Sequence, residues 1–275
     1  MYELSEIRKV FPDGTVAVDR ISLTVGPGEQ AAVIGPSGAG KTTLFRMLNL
    51  TLRPTSGSLS IAGVDVSGLS DEELRGQRRR IGTIYQQHNL VGRLRVVHNV
   101  LAGNLGRWST ARAVASLFRP RGPEAAHQAL AQVGIPEKLY ARTDELSGGQ
   151  QQRVAVARVL VQNPDIILAD EPVSSVDPSL AVTIVTLLRD LAHESRKTLL
   201  MNLHSVDLAL AYFPRIIGIR DGRLSFDLSP DKVTEGLLHG LYAGHRDEEL
   251  QLERLHYGAA SPYGRACRPL PGFGK

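Results

Sequence analysis

Gly35-Pro36-Ser37-Gly38-Ala39-Gly40-Lys41-Thr42 follows a short apolar run, Gln30–Ile34, and leads into helix-forming residues at 41–50. Strand, glycine-rich loop and helix in that order make the phosphate-loop pattern G-x-x-x-x-G-K-[ST]. Its residue types follow from the chemistry of a polyphosphate. Glycines let backbone N–H groups turn inward around phosphate oxygens with no Cβ in the way. Lys41 adds a point charge to the β- and γ-phosphates, and the Thr42 hydroxyl is a hard oxygen ligand for Mg2+. The helix directs its positive end at the anion. A nucleoside triphosphate site is expected, of a class that this loop alone leaves open.

Further along, Ile166-Ile167-Leu168-Ala169-Asp170-Glu171 is an apolar strand ending in two adjacent carboxylates. Asp170 is placed to hold Mg2+ through water. Glu171 then becomes the base that polarises the attacking water and takes its proton. By themselves two acids after an apolar strand say little; their distance downstream of the phosphate loop gives them weight.

The rest of the chain supports a layered α/β fold. Strands are read at Tyr2–Val10, Val16–Val25, 58–62 and 80–85, with a capping box from Ser70 to Glu73 opening a short helix. Residues 88–162 change to a helical pattern. Pro123 suits a first helical turn, Gly134 a helix end, and Ser147 the cap of a helix running to 161. Strand and helix then alternate: 165–170, Pro178–Glu194, 198–203, 205–212 and 215–220. Such alternation predicts a mostly parallel sheet with helices on both faces, and the helical stretch at 88–162 as an insertion. Residues 231–256 read as one or two amphipathic helices, and 258–275, rich in Gly, Pro and Arg, as a disordered tail.

Composition narrows the classes. With 275 residues, 42% hydrophobic and 22% charged, the chain can bury an ordinary core. Its single cysteine, Cys267, fits a reducing compartment and excludes a thiolate metal cluster. No stretch reaches the 18 or more apolar residues of a membrane span, and the N-terminus lacks an apolar signal core. A cytosolic chain that meets a membrane through a partner is expected. The net charge of +4 admits anionic partners, but Arg75, Arg78, Arg79 and Arg80 read as a solvated helix end rather than a nucleic-acid patch.

Leu146-Ser147-Gly148-Gly149-Gln150 decides the class. At average residue usage this pentapeptide arises by chance in roughly one such chain in a few thousand. It opens a helix, so a serine, bare glycine amides and a helix N-terminus make a second anion site. With these residues in place, positions 2–227 resemble the ATPases of ABC transporters. The resemblance implies a P-loop NTPase with a mostly parallel core sheet, an antiparallel β subdomain and an inserted helical subdomain. It places the ATP-binding domain at 1–228, with the insertion at about 88–162, and an extension at 229–275.

The resemblance also implies roles for individual residues. Phe11 matches the aromatic that stacks on adenine, and Thr43 joins Gly35 through Thr42 among the nucleotide contacts. Gln86 matches the glutamine that senses Mg2+ and the membrane partner, with Gln87 as the alternative register. Ser174-Ser175-Val176-Asp177 matches the loop that crosses the dimer interface. His204 matches the switch histidine at the γ-phosphate. Two copies packed head to tail would close two ATP molecules between the phosphate loop of one and Ser147, Gly148, Gly149 and Gln150 of the other.

Three stretches look specifically like the ATPase of phosphonate importers: 87–94 with Asn99-Val100-Leu101-Ala102-Gly103, then 171–178, then Asn202-Leu203-His204-Ser205-Val206-Asp207-Leu208-Ala209. That resemblance implies permease subunits near residues 86–101, an indirect link to a phosphonate-binding receptor, and a peripheral place on the cytoplasmic face of the inner membrane. Importers of phosphate, phosphite or related oxyanions are the near alternative. A soluble ATPase acting on nucleic acid fits poorly, because such proteins carry two cassettes or a long coiled-coil insertion. A non-hydrolytic interaction module is disfavoured by the intact catalytic set of Glu171, His204 and Ser147.

Overall fold

The computed structural model describes residues 2–244 apart from His88, Arg119 and Ser175. Its strands are β1 (Tyr2–Val10), β2 (Val16–Val25), β3 (Gln30–Ile34), β4 (Ser56–Ile61), β5 (Val64–Asp65), β6 (Ile81–Tyr85), β7 (Ile166–Asp170), β8 (Thr198–Asn202), β9 (Ile216–Arg220) and β10 (Arg223–Leu228). Its α-helices are α1 (Lys41–Leu48), α2 (Asp71–Arg78), α3 (Val96–Leu101), α4 (Thr110–Phe118), α5 (Pro123–Gln132), α6 (Gly148–Gln162), α7 (Pro178–Glu194), α8 (Val206–Tyr212) and α9 (Glu235–Tyr242).

The strands form an antiparallel sheet in the order β2-β1-β4-β5 and a six-stranded sheet in the order β10-β9-β3-β8-β7-β6. Within the second, β9, β3, β8, β7 and β6 run parallel, and only β10 is antiparallel. Strands β3, β7 and β8 are buried along their whole length. That is why they read as unbroken apolar runs rather than alternations: both faces are covered.

The period-2 geometry of a strand divides those runs between two cores. Ala32, Ile34, Ile167, Ala169, Leu199 and Met201 pack towards α3 and α5–α8. Val33, Leu168 and Leu200 face the other way, onto α1 and the antiparallel sheet, with Tyr2, Ile21, Phe45 and Leu59. The Tyr2 hydroxyl donates to the Leu48 carbonyl at 2.8 Å, fastening the last turn of α1 to that sheet. Helices α3 to α6 lie in the chain between β6 and β7, at the place where an insertion was expected.

Local signals explain most boundaries. Ser70 and Glu73 form the capping box of α2, and Gly134, at φ 75°, follows α5. Helix α1 ends at Leu48 rather than at 50, because Leu50 adopts the left-handed conformation at φ 62°. Strand β10 was not foreseen: the Asp221-Gly222 turn joins it to β9 as a hairpin. Of the helical region expected at 231–256, the described part holds a short 3-10 turn, Pro230–Lys232, and α9. The remainder, with Cys267 and the tail at 258–275, lies outside the described residues. Among the described residues no helix is long and apolar enough to cross a membrane.

Candidate active site

Three loops meet because their strands are neighbours. In the order β3-β8-β7, the phosphate loop leaves β3, the segment to His204 leaves β8, and Asp170-Glu171 ends β7. Ligands of open parallel sheets bind at such carboxyl ends. The register is direct: Val33 pairs with Asn202, and Asn202 with Asp170.

Two glycines shape the loop. A Cβ on Gly35 would meet the Ile219 carbonyl at 2.0 Å, and one on Gly40 the Ala17 carbonyl at 2.1 Å. Gly40 also caps α1 in the left-handed conformation, φ 97°, with no side-chain cap. The first turn of α1 thus faces the loop interior without a competing side chain. Lys41 is buried, and its ammonium donates to the carbonyls of Gly35 (2.6 Å) and Pro36 (2.9 Å).

The loop lines a cavity of about 350 Å³ formed by Ala17, residues 37–43, Glu171 and His204. His204 Nε2 lies 2.7 Å from Glu171 Oε1. That hydrogen bond holds the Glu171 carboxyl below its usual range, against the opposing effect of burial. Glu171 itself is left-handed, φ 53°, and its N–H donates to the Asn202 carbonyl at 3.2 Å. Asp170 behaves oppositely. Burial raises its pKa, while the amide of Asn202, donating to Oδ1 at 2.7 Å, opposes the rise. The neighbouring acids are therefore pushed apart in acidity by their surroundings.

Other predicted residues sit elsewhere. Among the described residues, Phe11, Gln86, Ser147, Gly148, Gly149, Gln150 and Asp177 do not line this cavity. Phe11 lies in the β1–β2 turn beneath the Lys9 ammonium, 5.8 Å from its ring centroid. Ser147 caps α6, accepting from the Gln150 amide, while the Gln150 side chain accepts from the Ser147 N–H. Asp177 caps α7, accepting from Leu180 N–H (3.0 Å) and the Ser179 hydroxyl (2.7 Å). A Cβ on Gly149 would stand 2.4 Å from Leu180 Cδ2, so that glycine lets the starts of α6 and α7 touch. Ser175, between them in the expected interface loop, lies outside the described residues.

Sequence reasoning did not single out Ala17 or assign a role to Asn202. Ala17 gives no signal, being an alanine on a strand. Asn202 left one: an amide closing the otherwise apolar end of β8. As for Mg2+, Thr42, Gln86 and Asp170 offer hydroxyl, amide and carboxylate oxygens, the hard donors such an ion prefers. The buried Oδ1 of Asn202, beside Asp170, has no hydrogen-bond partner among the described residues, and a hydrated cation there would supply one. The donor set fits the ion.

Residues 18–174 match the family profile described as ABC transporter. The chain belongs to that family. An ABC transporter cassette in a dimeric structure superposes with a TM-score of 0.74 at 31% identity, covering 84% of this chain and 99% of that one. A post-hydrolysis dimeric structure of an ATP-binding cassette with ADP and Pi gives 0.72 at 30% identity, over 84% and 99%. Among curated ABC relatives, the phosphonates import ATP-binding protein PhnC 1 of Pseudomonas syringae pv. syringae is 45% identical, over 96% of this chain and 98% of its own length. The PhnC 3 protein of Halalkalibacterium halodurans is 42% identical over 88% and 94%. The α/β P-loop fold expected from sequence is the fold observed.

Proposed function

We propose that this chain hydrolyses ATP as the paired motor subunit of an ABC importer for phosphonates. The observation that carries the hydrolytic reading is the hydrogen-bonded Glu171–His204 pair on the wall of the phosphate-loop cavity. The phosphonate reading is supported by near full-length similarity to relatives named for that import, and by the 202–209 segment. Residues 1–228 would form the ATP-binding domain, carrying the helical insertion at 88–162, with 229–275 as an extension.

In this reading Phe11 stacks on the adenine. Residues 35–43 wrap the phosphates with backbone amides, and Lys41 turns from its loop carbonyls to the β- and γ-oxygens. Water attacks the γ-phosphorus in line as its bond to the β-bridging oxygen breaks. Glu171 accepts the water proton, and ADP and phosphate leave. His204 steers Glu171 and contacts the γ-oxygens. Thr42, Asp170 and Gln86 would hold Mg2+, which would supply positive charge to the phosphate oxygens. Ser147, Gly148, Gly149 and Gln150 of a second copy close the site from the far side, with Asp177 at the crossing loop. Nucleotide bound between two positive helix ends favours the closed pair, and its hydrolysis removes that bridge, which gives a two-state motor.

The permease needs a surface of its own. A groove of about 470 Å³, lined by Arg75, Arg78, Arg79, Leu105, Arg107, Trp108 and Gln162 among others, lies between α2 and the insertion. Leu105 in its lining is exposed, as are Val114, Leu117 and Phe118 (the last to 87%) on α4, whose first residue, Thr110, also lines the groove. An apolar face of this kind beside a groove marks a docking surface. It adjoins the 86–101 stretch expected to meet the membrane subunits. The chain would then sit peripherally on the cytoplasmic face, with the receptor protein reached only through the permease.

Two experiments test the proposal. Turnover by Glu171→Gln equal to wild type would remove the assigned chemistry. Growth of a deletion strain on a phosphonate as sole phosphorus source, as fast as its parent, would remove the substrate; failure on phosphite instead would point to the oxyanion alternative.

A further inference from the structure

Asn202 closes β8 after Thr198, Leu199, Leu200 and Met201, in a strand buried throughout, and is itself fully buried. An amide in that position is disfavoured by desolvation unless it is hydrogen-bonded. An apolar side chain of similar size would pack there without that cost. Two of the hydrogen bonds of Asn202 go to the acids of the site. Its Nδ2 donates to Asp170 Oδ1 at 2.7 Å, and its backbone carbonyl accepts the Glu171 N–H at 3.2 Å. Asp170 and Asn202 are register partners of parallel strands, so their side chains leave the sheet on the same side.

The consequences for the two acids differ. Donation to one oxygen fixes the plane of the Asp170 carboxylate. The backbone bond pins Glu171 where the chain enters its left-handed turn, a conformation a glutamate rarely adopts unsupported. From there Glu171 reaches His204. The remaining amide oxygen, Oδ1, is buried beside Asp170 with no partner among the described residues.

We propose that Asn202 is a positioning residue for ATP hydrolysis: its side-chain amide orients Asp170 towards the divalent cation, and its carbonyl seats Glu171. The inference rests on the ATPase reading. Residues behind metal ligands typically contribute tenfold or more to metal affinity.

The decisive variant is Asn202→Leu, which keeps the branched shape and the backbone carbonyl but removes the amide. Mn2+ binding is read by electron paramagnetic resonance in the presence of ATP, in a Glu171→Gln background where turnover is slow. Affinity for Mn2+ should fall about tenfold, while ATP affinity in EDTA stays within about twofold of the parent. In the otherwise wild-type chain, the Mg2+ concentration for half-maximal hydrolysis should rise by the same factor, with kcat reduced and the KM for ATP at saturating Mg2+ little changed. Asn202→Thr, which retains a hydroxyl donor on a strand-compatible residue, should recover part of the loss and carries the test if the leucine variant does not fold. Unchanged Mn2+ affinity in the leucine variant, equal losses with and without cation, or a threonine variant no better than leucine would overturn the inference. A wild-type chain that does not hydrolyse ATP at all would overturn the functional reading instead.

Discussion

The starts of α1 and α6 are both short, glycine-bearing turns expected to meet phosphate, yet they are finished in opposite ways. At α1 the cap is Gly40, left-handed and without a side chain to compete for the first-turn amides. At α6 the cap is Ser147, locked with Gln150 in a reciprocal capping box. An anion arriving at α1 meets a cap that makes no side-chain hydrogen bond to the helix; one arriving at α6 must share or displace a cap that already satisfies the helix. The difference suits two roles. In the proposed pair the phosphate loop would hold the nucleotide, and the start of α6 would respond when the other copy presents its charge.

That contrast can be broken, starting with the largest effect. Lys41→Ala should reduce both ATP affinity and turnover, the latter about 10³-fold, seen by equilibrium nucleotide binding and phosphate release. Glu171→Gln should cut turnover about 10²-fold or more while ATP affinity is kept, which separates chemistry from capture. Ser147→Ala tests the other end. ATP binding by the single chain should match wild type, turnover should drop about tenfold, and the lost cap should cost about 1 kcal/mol in denaturant unfolding.

The smallest effect sharpens the comparison through pH. The capping box of α2 uses Glu73, whose carboxyl is held low by the hydroxyl and N–H of Ser70, whereas that of α6 uses the neutral Gln150. A carboxyl depressed on folding adds stability above its unfolded pKa, about 4.3, and loses it as pH falls through the lower folded value. The midpoint of thermal unfolding should therefore fall slightly less on acidification from pH 5 to pH 3 in Glu73→Gln than in wild type. Gln150→Ala should show no change in that slope.

Much of the site was legible because its pieces are local. The phosphate loop, the capping box at Ser70, the cap at Ser147 and the run into Asp170 are contiguous segments whose geometry follows from glycine, caps and strand pattern. Strand β10 was not legible: Phe226 packs onto β9 at Gly218, where a Cβ would lie 2.7 Å from its ring, and no local signal announces that fit. Ala17 was missed for the same reason, since only folding sets its carbonyl against Gly40. Asn202 gave a faint signal, an amide where an aliphatic residue belongs.

From the chain alone came the family, the α/β layering and the candidate residues proposed for nucleotide, since each depends on neighbours a few positions apart. Folding alone decided which of those residues meet. Glu171 reaches His204, and Asp170 reaches Asn202, because β7 and β8 lie side by side although α7 separates them in the chain. Strand order is set by the burial of whole faces, a non-local balance that no single segment encodes.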